Sequence, residues 1–176
     1  NNRYWLPLDP SQIVLGEQAA SEIAPRQREV MLVAVLGESP QVLTEALFAL
    51  AREHGVVPAG IRIITTSRGA AVWQEAGDPL AELCDAWPDL VPALPSPEIR
   101  LIRSGWTEQE PSFFQRSRVL ADIRDQDDAV VAADFLCREL SWLLDEKGAF
   151  ALHVLMSGGR KTMGFLAGYV LSLLSF

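Results

Sequence analysis

Val30 to Leu36 is an unbroken apolar run closed by Gly37, and no other feature of the chain constrains its fold as tightly. A strand with water on one face alternates apolar and polar side chains. One that is apolar at every position must be covered on both faces, which means the interior of a parallel sheet flanked by helices. The period then changes: from Gln41 to His54 the apolar residues Val42, Leu43, Ala46, Leu47, Phe48 and Leu50 recur at helical spacing, and Gly55 supplies a stop. Ile61 to Thr65 is a second strand-like run, followed by Ser67-Arg68-Gly69 and a helical stretch from Ala70 to Ala76.

Prolines at 79, 88, 92, 95 and 97 predict a broken helix or an excursion between Asp78 and Glu98. Ile99 to Ile102 reads as a third strand, and Trp106 to Ser117 as a polar loop placed to cover a site. Asp127 to Leu144 is the longest predicted helix, with Val130, Val131, Phe135, Leu136, Leu140, Leu143 and Leu144 as its apolar face and Gly148 as its end. Ala151 to Met156 is a fourth buried strand, Ser157-Gly158-Gly159-Arg160-Lys161-Thr162 a turn, and Met163 opens another helix. The alternation predicts an α/β fold: a Rossmann-like, doubly wound, mostly parallel sheet with helices on both faces and a ligand site outside the carboxyl ends of its strands. Residues 1–28 read as an N-terminal extension and 29–176 as the domain.

With 176 residues, 49% of them hydrophobic, the chain can bury one real core. Its net charge of −8 argues against long DNA or RNA, whose binding depends on releasing counterions from many phosphates. A small anion is still compatible, because a few converging N–H groups and one lysine hold phosphate whatever the global charge. Cys84 and Cys137 lie in apolar stretches and read as small core residues in a reducing compartment. Neither has a neighbour at metal-ligand spacing, so neither a metal nor a cofactor is expected. Asn1 to Arg28 has no continuous apolar core, and the run from Phe165 to Phe176 is about half of what a membrane span needs. The expectation is a cytoplasmic protein, without a membrane partner, whose last helix is buried.

Two turns carry candidate chemistry. In Gly37-Glu38-Ser39-Pro40-Gln41, proline is preset for a first helical turn and Ser39 is a natural N-cap. N–H groups and a hydroxyl then face the crevice, although a well-capped helix alone would use the same residues. In Ser157-Gly158-Gly159-Arg160-Lys161-Thr162-Met163, two glycines permit close backbone approach, and consecutive Arg and Lys oppose the macrodipole of the helix they open. That pattern suits an anion cradle better than a solvated turn. It is not a P-loop, because Arg160 and Leu155 stand where that motif has glycines, and Gly37 lacks the partners of a dinucleotide fingerprint. Arg68 lies at the ligand end of the second strand. His54 reads as a helix C-terminal residue, His153 as a core or edge histidine, and Trp73, Trp87 and Trp142 as packing residues; Trp106 and Phe113 sit in the polar loop.

A strand ending in Gly-Glu-Ser-Pro-Gln-Val-Leu-Thr-Glu and a later one ending in Ser-Gly-Gly-Arg-Lys-Thr-Met together resemble the CRISPR-associated Rossmann-fold (CARF) family. The likeness is to its cyclic oligoadenylate sensor and ring nuclease branch, and Asp122-Ile123-Arg124 is also similar to that branch. It spans about Val30 to Ser175. It implies a homodimer with one pocket on its two-fold axis for a cyclic oligoadenylate of type III CRISPR signalling, cyclic tetra-adenylate being favoured. A ring of identical nucleotides has its own two-fold axis and so matches an isologous interface. By this resemblance Ser39 and Lys161 contact the phosphates and are the catalytic candidates. Gly37, Glu38, Gln41, Arg68, Ser157, Gly158, Gly159, Arg160 and Thr162 are the further ligand-binding candidates.

The implied activity is slow, metal-independent cleavage of the ring by a ribose 2′-hydroxyl, or, as the alternative, sensing without cleavage on behalf of a fused or partner effector. The family's sheet usually continues past the last helix seen here and an effector domain often follows. The resemblance therefore leaves open a C-terminal truncation and an effector outside the visible chain. The familiar ribonuclease effector places an arginine four to six residues before a histidine, and neither His54 nor His153 has one there.

Overall fold

The computed structural model describes residues 29–105, 117–146, 150–156 and 161–174. The 1–28 extension, Trp106, Phe113, Gly148 and the turn residues Ser157, Gly158, Gly159 and Arg160 lie outside the described residues. In chain order the elements are β1 (Glu29–Val35), α1 (Gln41–His54), β2 (Gly60–Thr65), α2 (Ser67–Glu75), α3 (Pro79–Ala86), β3 (Glu98–Leu101), α4 (Gln126–Glu146), β4 (Phe150–Leu155) and α5 (Lys161–Leu174). Among the described residues the strands form one sheet in the order β3-β2-β1-β4, and every pairing is parallel. This is the doubly wound, Rossmann-like α/β arrangement.

β1 is central, and the order explains its composition. Met31 to Val35 are all buried, and alternate residues serve opposite faces. Leu32, Ala34 and Leu36 pack with Leu43 and Leu47 of α1, Trp73 of α2 and Leu80 of α3. Met31, Val33 and Val35 pack with Phe135, Leu136 and Leu140 of α4 and with Met163, Ala167 and Val170 of α5. α1 stops where the sequence places its stop: Gly55 takes φ 63° and donates to the Ala51 carbonyl at 3.0 Å, while the N–H of Val56 reaches Leu50. In the proline-rich stretch α3 is a short helix with proline in its first turn, capped by Asp78 accepting from the N–H of Ala81 at 3.1 Å.

α4 is held to the sheet by a buried charge cluster. Glu139 is only 1% exposed, in the middle of the helix face that packs on the sheet. Its Oε2 accepts from Arg62 Nη1 of β2 at 3.2 Å, and its Oε1 accepts from Arg100 Nε and Nη2 of β3 at 3.1 and 2.6 Å. Arg62 also donates Nε and Nη2 to Glu98 Oε2 at 3.0 and 2.6 Å, and its guanidinium lies 4.9 Å from the ring centroid of Trp142. Two arginines and two glutamates thus balance in one contact of α4 with β2 and β3.

Several expectations are corrected. Val130 and Leu144 are 61% and 40% exposed, because the covered stripe of α4 runs through Ala132, Phe135, Leu136, Glu139, Leu140 and Leu143 instead. Cys137 is exposed and Cys84 only partly buried, so neither is a core residue. α5 is not buried all round: Phe165, Tyr169 and Leu173 are 72%, 57% and 58% exposed. Trp87 is half exposed against Phe48, whereas Trp73 is buried. α2 begins at Ser67, since the Thr66 hydroxyl caps it by accepting from the N–H of Gly69 at 3.3 Å. Among the described residues no helix is long and apolar enough to cross a membrane.

Replacing Glu139 with alanine leaves Arg62 buried with one carboxylate fewer. Glu139→Ala is expected to lower the unfolding free energy by about 3–5 kcal/mol in urea titration. Arg138→Ala, which removes an exposed pair with Asp134, is expected to cost at most about 1 kcal/mol. Equal losses would show that the cluster does not hold α4.

Candidate functional site

β1 and β4 are neighbours, yet the helices that follow them pack on opposite faces, α1 on one and α5 on the other. The crevice at their carboxyl ends is therefore the topological switch point of the sheet, where open α/β sheets bind ligands. Gly37, Glu38, Ser39, Pro40 and Gln41 leave β1 on one side of it. Lys161 and Thr162 open α5 on the other, within the helix rather than in a preceding turn.

The first turn departs from expectation in one informative way. The N-cap of α1 is Pro40, at φ −62° and ψ −30°, and no side chain caps the helix. With Pro40 in that position the helix starts at Gln41, one residue later than a serine cap would start it. Ser39 contributes its carbonyl, accepting from the N–H of Val42 at 3.3 Å. Ser39 is half-buried, and its hydroxyl is left out of the cap.

Glu38 and Arg68, both read as ligand contacts, meet each other: Arg68 Nε lies 2.9 Å from Glu38 Oε1. Both are about half exposed, and such a pair contributes roughly 0–1 kcal/mol, little enough to rearrange around a ligand. It links the turn after β1 to the start of α2. Gly69 makes that approach possible, because a Cβ there would come 2.1 Å from Thr65 Oγ1 and 2.9 Å from the Gly37 carbonyl oxygen.

A matching close approach occurs at the start of α5. A Cβ on Gly164 would lie 2.7 Å from the Met156 carbonyl oxygen, so the first turn of α5 rests directly on the end of β4. Sequence reasoning overlooked this residue; its signal was the one-turn spacing of Gly164 and Gly168, both of which face Met156. Lys161 and Thr162 are exposed, and the first turn of α5 contains no acidic residue. A lysine beside unsatisfied N–H groups concentrates positive potential.

The Asp122-Ile123-Arg124 segment has a structural role. Ser67 donates to the Leu120 carbonyl at 2.9 Å and Leu120 to that of Ile102 at 2.8 Å, which fastens the segment before α4 across the ends of β2 and β3. Asp122 Oδ1 accepts from the N–H of Ile123 at 2.8 Å. Asp128 accepts from Arg118 Nη2 at 2.8 Å and from the N–H of Arg124 at 3.2 Å. The Arg118 hydrogen bond, then that N–H, holds the Asp128 carboxyl below its ordinary 3.8.

Residues 103–175 match the family model described as CRISPR-associated protein NE0113 (Cas_NE0113). The match supports a CRISPR-associated protein. No curated protein matches the chain. The matched residues take in α4 with the segment before it, β4 and α5, including Lys161 and Thr162. Ser39 and Arg68 precede them. His54, in the last turn of α1, and His153, on edge strand β4, line a separate apolar groove of about 410 Å³ with Leu50 and Leu155.

Two outcomes follow from this geometry. Gly164→Ala is expected to push α5 off Met156 and destabilise the fold by about 1–3 kcal/mol, read by chemical denaturation. The Asp128 carboxylate stabilises the fold above 3.8, and that contribution fades as pH falls through its lowered folded value. Asp128→Asn should accordingly lower Tm near neutral pH, with the gap to wild type narrowing as the pH is taken below 3.8; a gap independent of pH would contradict the assignment.

Proposed function

We propose that this chain is a CARF-type ring nuclease: it binds a cyclic oligoadenylate of type III CRISPR signalling, cyclic tetra-adenylate in preference, at a homodimer interface and cleaves it slowly without a metal. The observation that carries this reading is the pairing, at one switch point, of the Ser39 hydroxyl left out of its helix cap with Lys161 at the acid-free start of α5. A phosphate seated between them meets a hydroxyl, an ammonium and the positive ends of two helices.

Cleavage requires little more than orientation. The 2′-oxygen of one ribose forms a bond to the adjacent phosphorus, the bond from phosphorus to O5′ breaks, and the 2′ proton passes through solvent to the departing O5′. The product is a linear oligoadenylate ending in a 2′,3′-cyclic phosphate. Ser39 orients the phosphate or the hydroxyl, and Lys161 stabilises the charge that builds on the phosphorane. Glu38, the carboxylate of the turn, is tied to Arg68 and is not poised as a base, in keeping with slow turnover.

A second copy is supported by the outer face of α5. Phe165, Tyr169 and Leu173 follow Lys161 at successive helical turns, all exposed, with the first two rings stacked at 6.4 Å. Two such faces meeting about a two-fold axis would bring both Lys161 side chains toward one ring.

The test is incubation with cyclic tetra-adenylate and, separately, cyclic hexa-adenylate in EDTA, with products resolved by chromatography. Linear products with 2′,3′-cyclic phosphate ends are expected, and Lys161→Ala should slow their appearance by about 10²–10³-fold. Undiminished turnover in that variant would remove Lys161 from the mechanism. Ring recovered intact from a stoichiometric complex would make the protein a sensor that regulates a fused or partner effector, and no binding of either ring would overturn the reading.

A further inference from the structure

Alongside the start of α1 a cavity of about 440 Å³ opens, with Pro40, Gln41 and Thr44 on one side and Ala76, Pro79, Glu82 and Leu83 on the other. Its volume falls in the range of small-molecule sites, about 300–1,000 Å³. Pro40, Pro79 and Leu83 offer half-buried apolar surface suited to the flat face of a ring. The polar lining is mostly of acceptors. Glu82 offers a carboxylate, and the Thr44 hydroxyl already donates its proton to the Gln41 carbonyl at 2.8 Å, so toward the cavity it only accepts. The Gln41 carboxamide offers one acceptor beside one donor. Among the described residues neither the Gln41 side chain nor the Glu82 carboxylate is otherwise engaged.

Such a lining selects a ligand rich in donors. Adenine presents an exocyclic amine beside a ring nitrogen acceptor, the pair that a carboxamide reads bidentately, and its second N6 proton suits a carboxylate. Hypoxanthine and guanine place a carbonyl oxygen at that position, where it would face the Glu82 lone pairs and leave an unmatched polar contact. Glu82 also repels phosphate from this groove. Pro40 directly follows Ser39, so the base groove and the phosphate-facing hydroxyl are consecutive along the chain.

We infer that this groove is an adenine pocket, with Gln41 and Glu82 as the residues that determine base specificity. As a subsite for the ring's bases it rests on the proposed function, but its chemistry is testable apart from the ring. Isotope-labelled protein is titrated with AMP and with IMP, which share phosphate and ribose and differ in the base. AMP should shift the backbone amides of Thr44, Ala76 and Leu83 saturably and bind about tenfold more tightly than IMP. Glu82→Gln, a substitution on the exposed side of α3, should bring the two ligands to within about threefold, because the new amide can donate to the hypoxanthine oxygen. Equal binding of AMP and IMP by wild type, shifts that miss these residues, or a preference unchanged in Glu82→Gln would each overturn the pocket. If AMP binds as stated while cyclic tetra-adenylate does not bind, the ring reading fails and the adenine pocket stands.

Discussion

The fold depends on the Glu139 carboxylate being satisfied. At 1% exposure its oxygens need hydrogen-bond partners from the protein, and it has two arginines, one from β2 and one from β3. An apolar stripe on a helix leaves some freedom to slide or rotate, because many positions bury similar area. A buried carboxylate does not, since both oxygens find their donors at only one rotation and one height of α4. Removing both signs in favour of packed apolar residues need not destabilise such a site, so its contribution here is to specificity of register more than to net stability. With α4 fixed, the segment before it lies across the ends of β2 and β3, and the carboxyl edge of the sheet is held as one surface.

How much of this was legible in the sequence divides along one line. Where a pattern reports its own environment, it was readable: an all-apolar β1 means two covered faces, and Gly55 after a helical period means a stop. Where the decisive partner is distant, it was not. Glu139 sits one turn from Phe135 and one turn from Leu143, so its place on the inward stripe was visible in the spacing. Its donors Arg62 and Arg100 are 77 and 39 residues away, and without them a glutamate ranks as surface. Assigning the stripe by hydropathy alone therefore drew in Val130 and Leu144 and left out the residue that positions the helix. α5 failed for the opposite reason: it is apolar on every side, and composition cannot say which side a neighbour covers.

The candidate site was legible in outline: the first turn follows β1, Lys161 and Thr162 open α5, and the strand order brings β1 and β4 together. The detail depended on backbone geometry that residue identity does not report. Ser39 is a good cap by type, but Pro40 takes the position and leaves the hydroxyl for other use. The Glu38 and Arg68 pair needed the approach of α2 to the first turn, which in turn needed Gly69, a residue whose importance lies in what a Cβ would strike.

The distribution of acids among helix starts bears on how a chain of net charge −8 is compatible with the anion site proposed at this edge. A helix N-terminus attracts negative charge, and proteins usually satisfy it with their own side chains. α3 is capped by Asp78 and carries Glu82 in its first turn, while α4 is preceded by Asp125, whose Oδ1 accepts from the N–H of Asp128, and carries Asp127 and Asp128. α2 has its Thr66 cap. α1 and α5 have no acid in the first turn, α1 has no side-chain cap, and α5 opens with a lysine. Those are the two helices that start at the switch point. α3 and α4 thus satisfy their starts with carboxylates, whereas the two starts at the switch point keep their attraction for negative charge and the nearby Glu38 is paired with Arg68. Because the effect is short-ranged and screened beyond about 8–10 Å, it favours a compact phosphate held between the two starts and gives no purchase to an extended polyanion lying across the acidic surface.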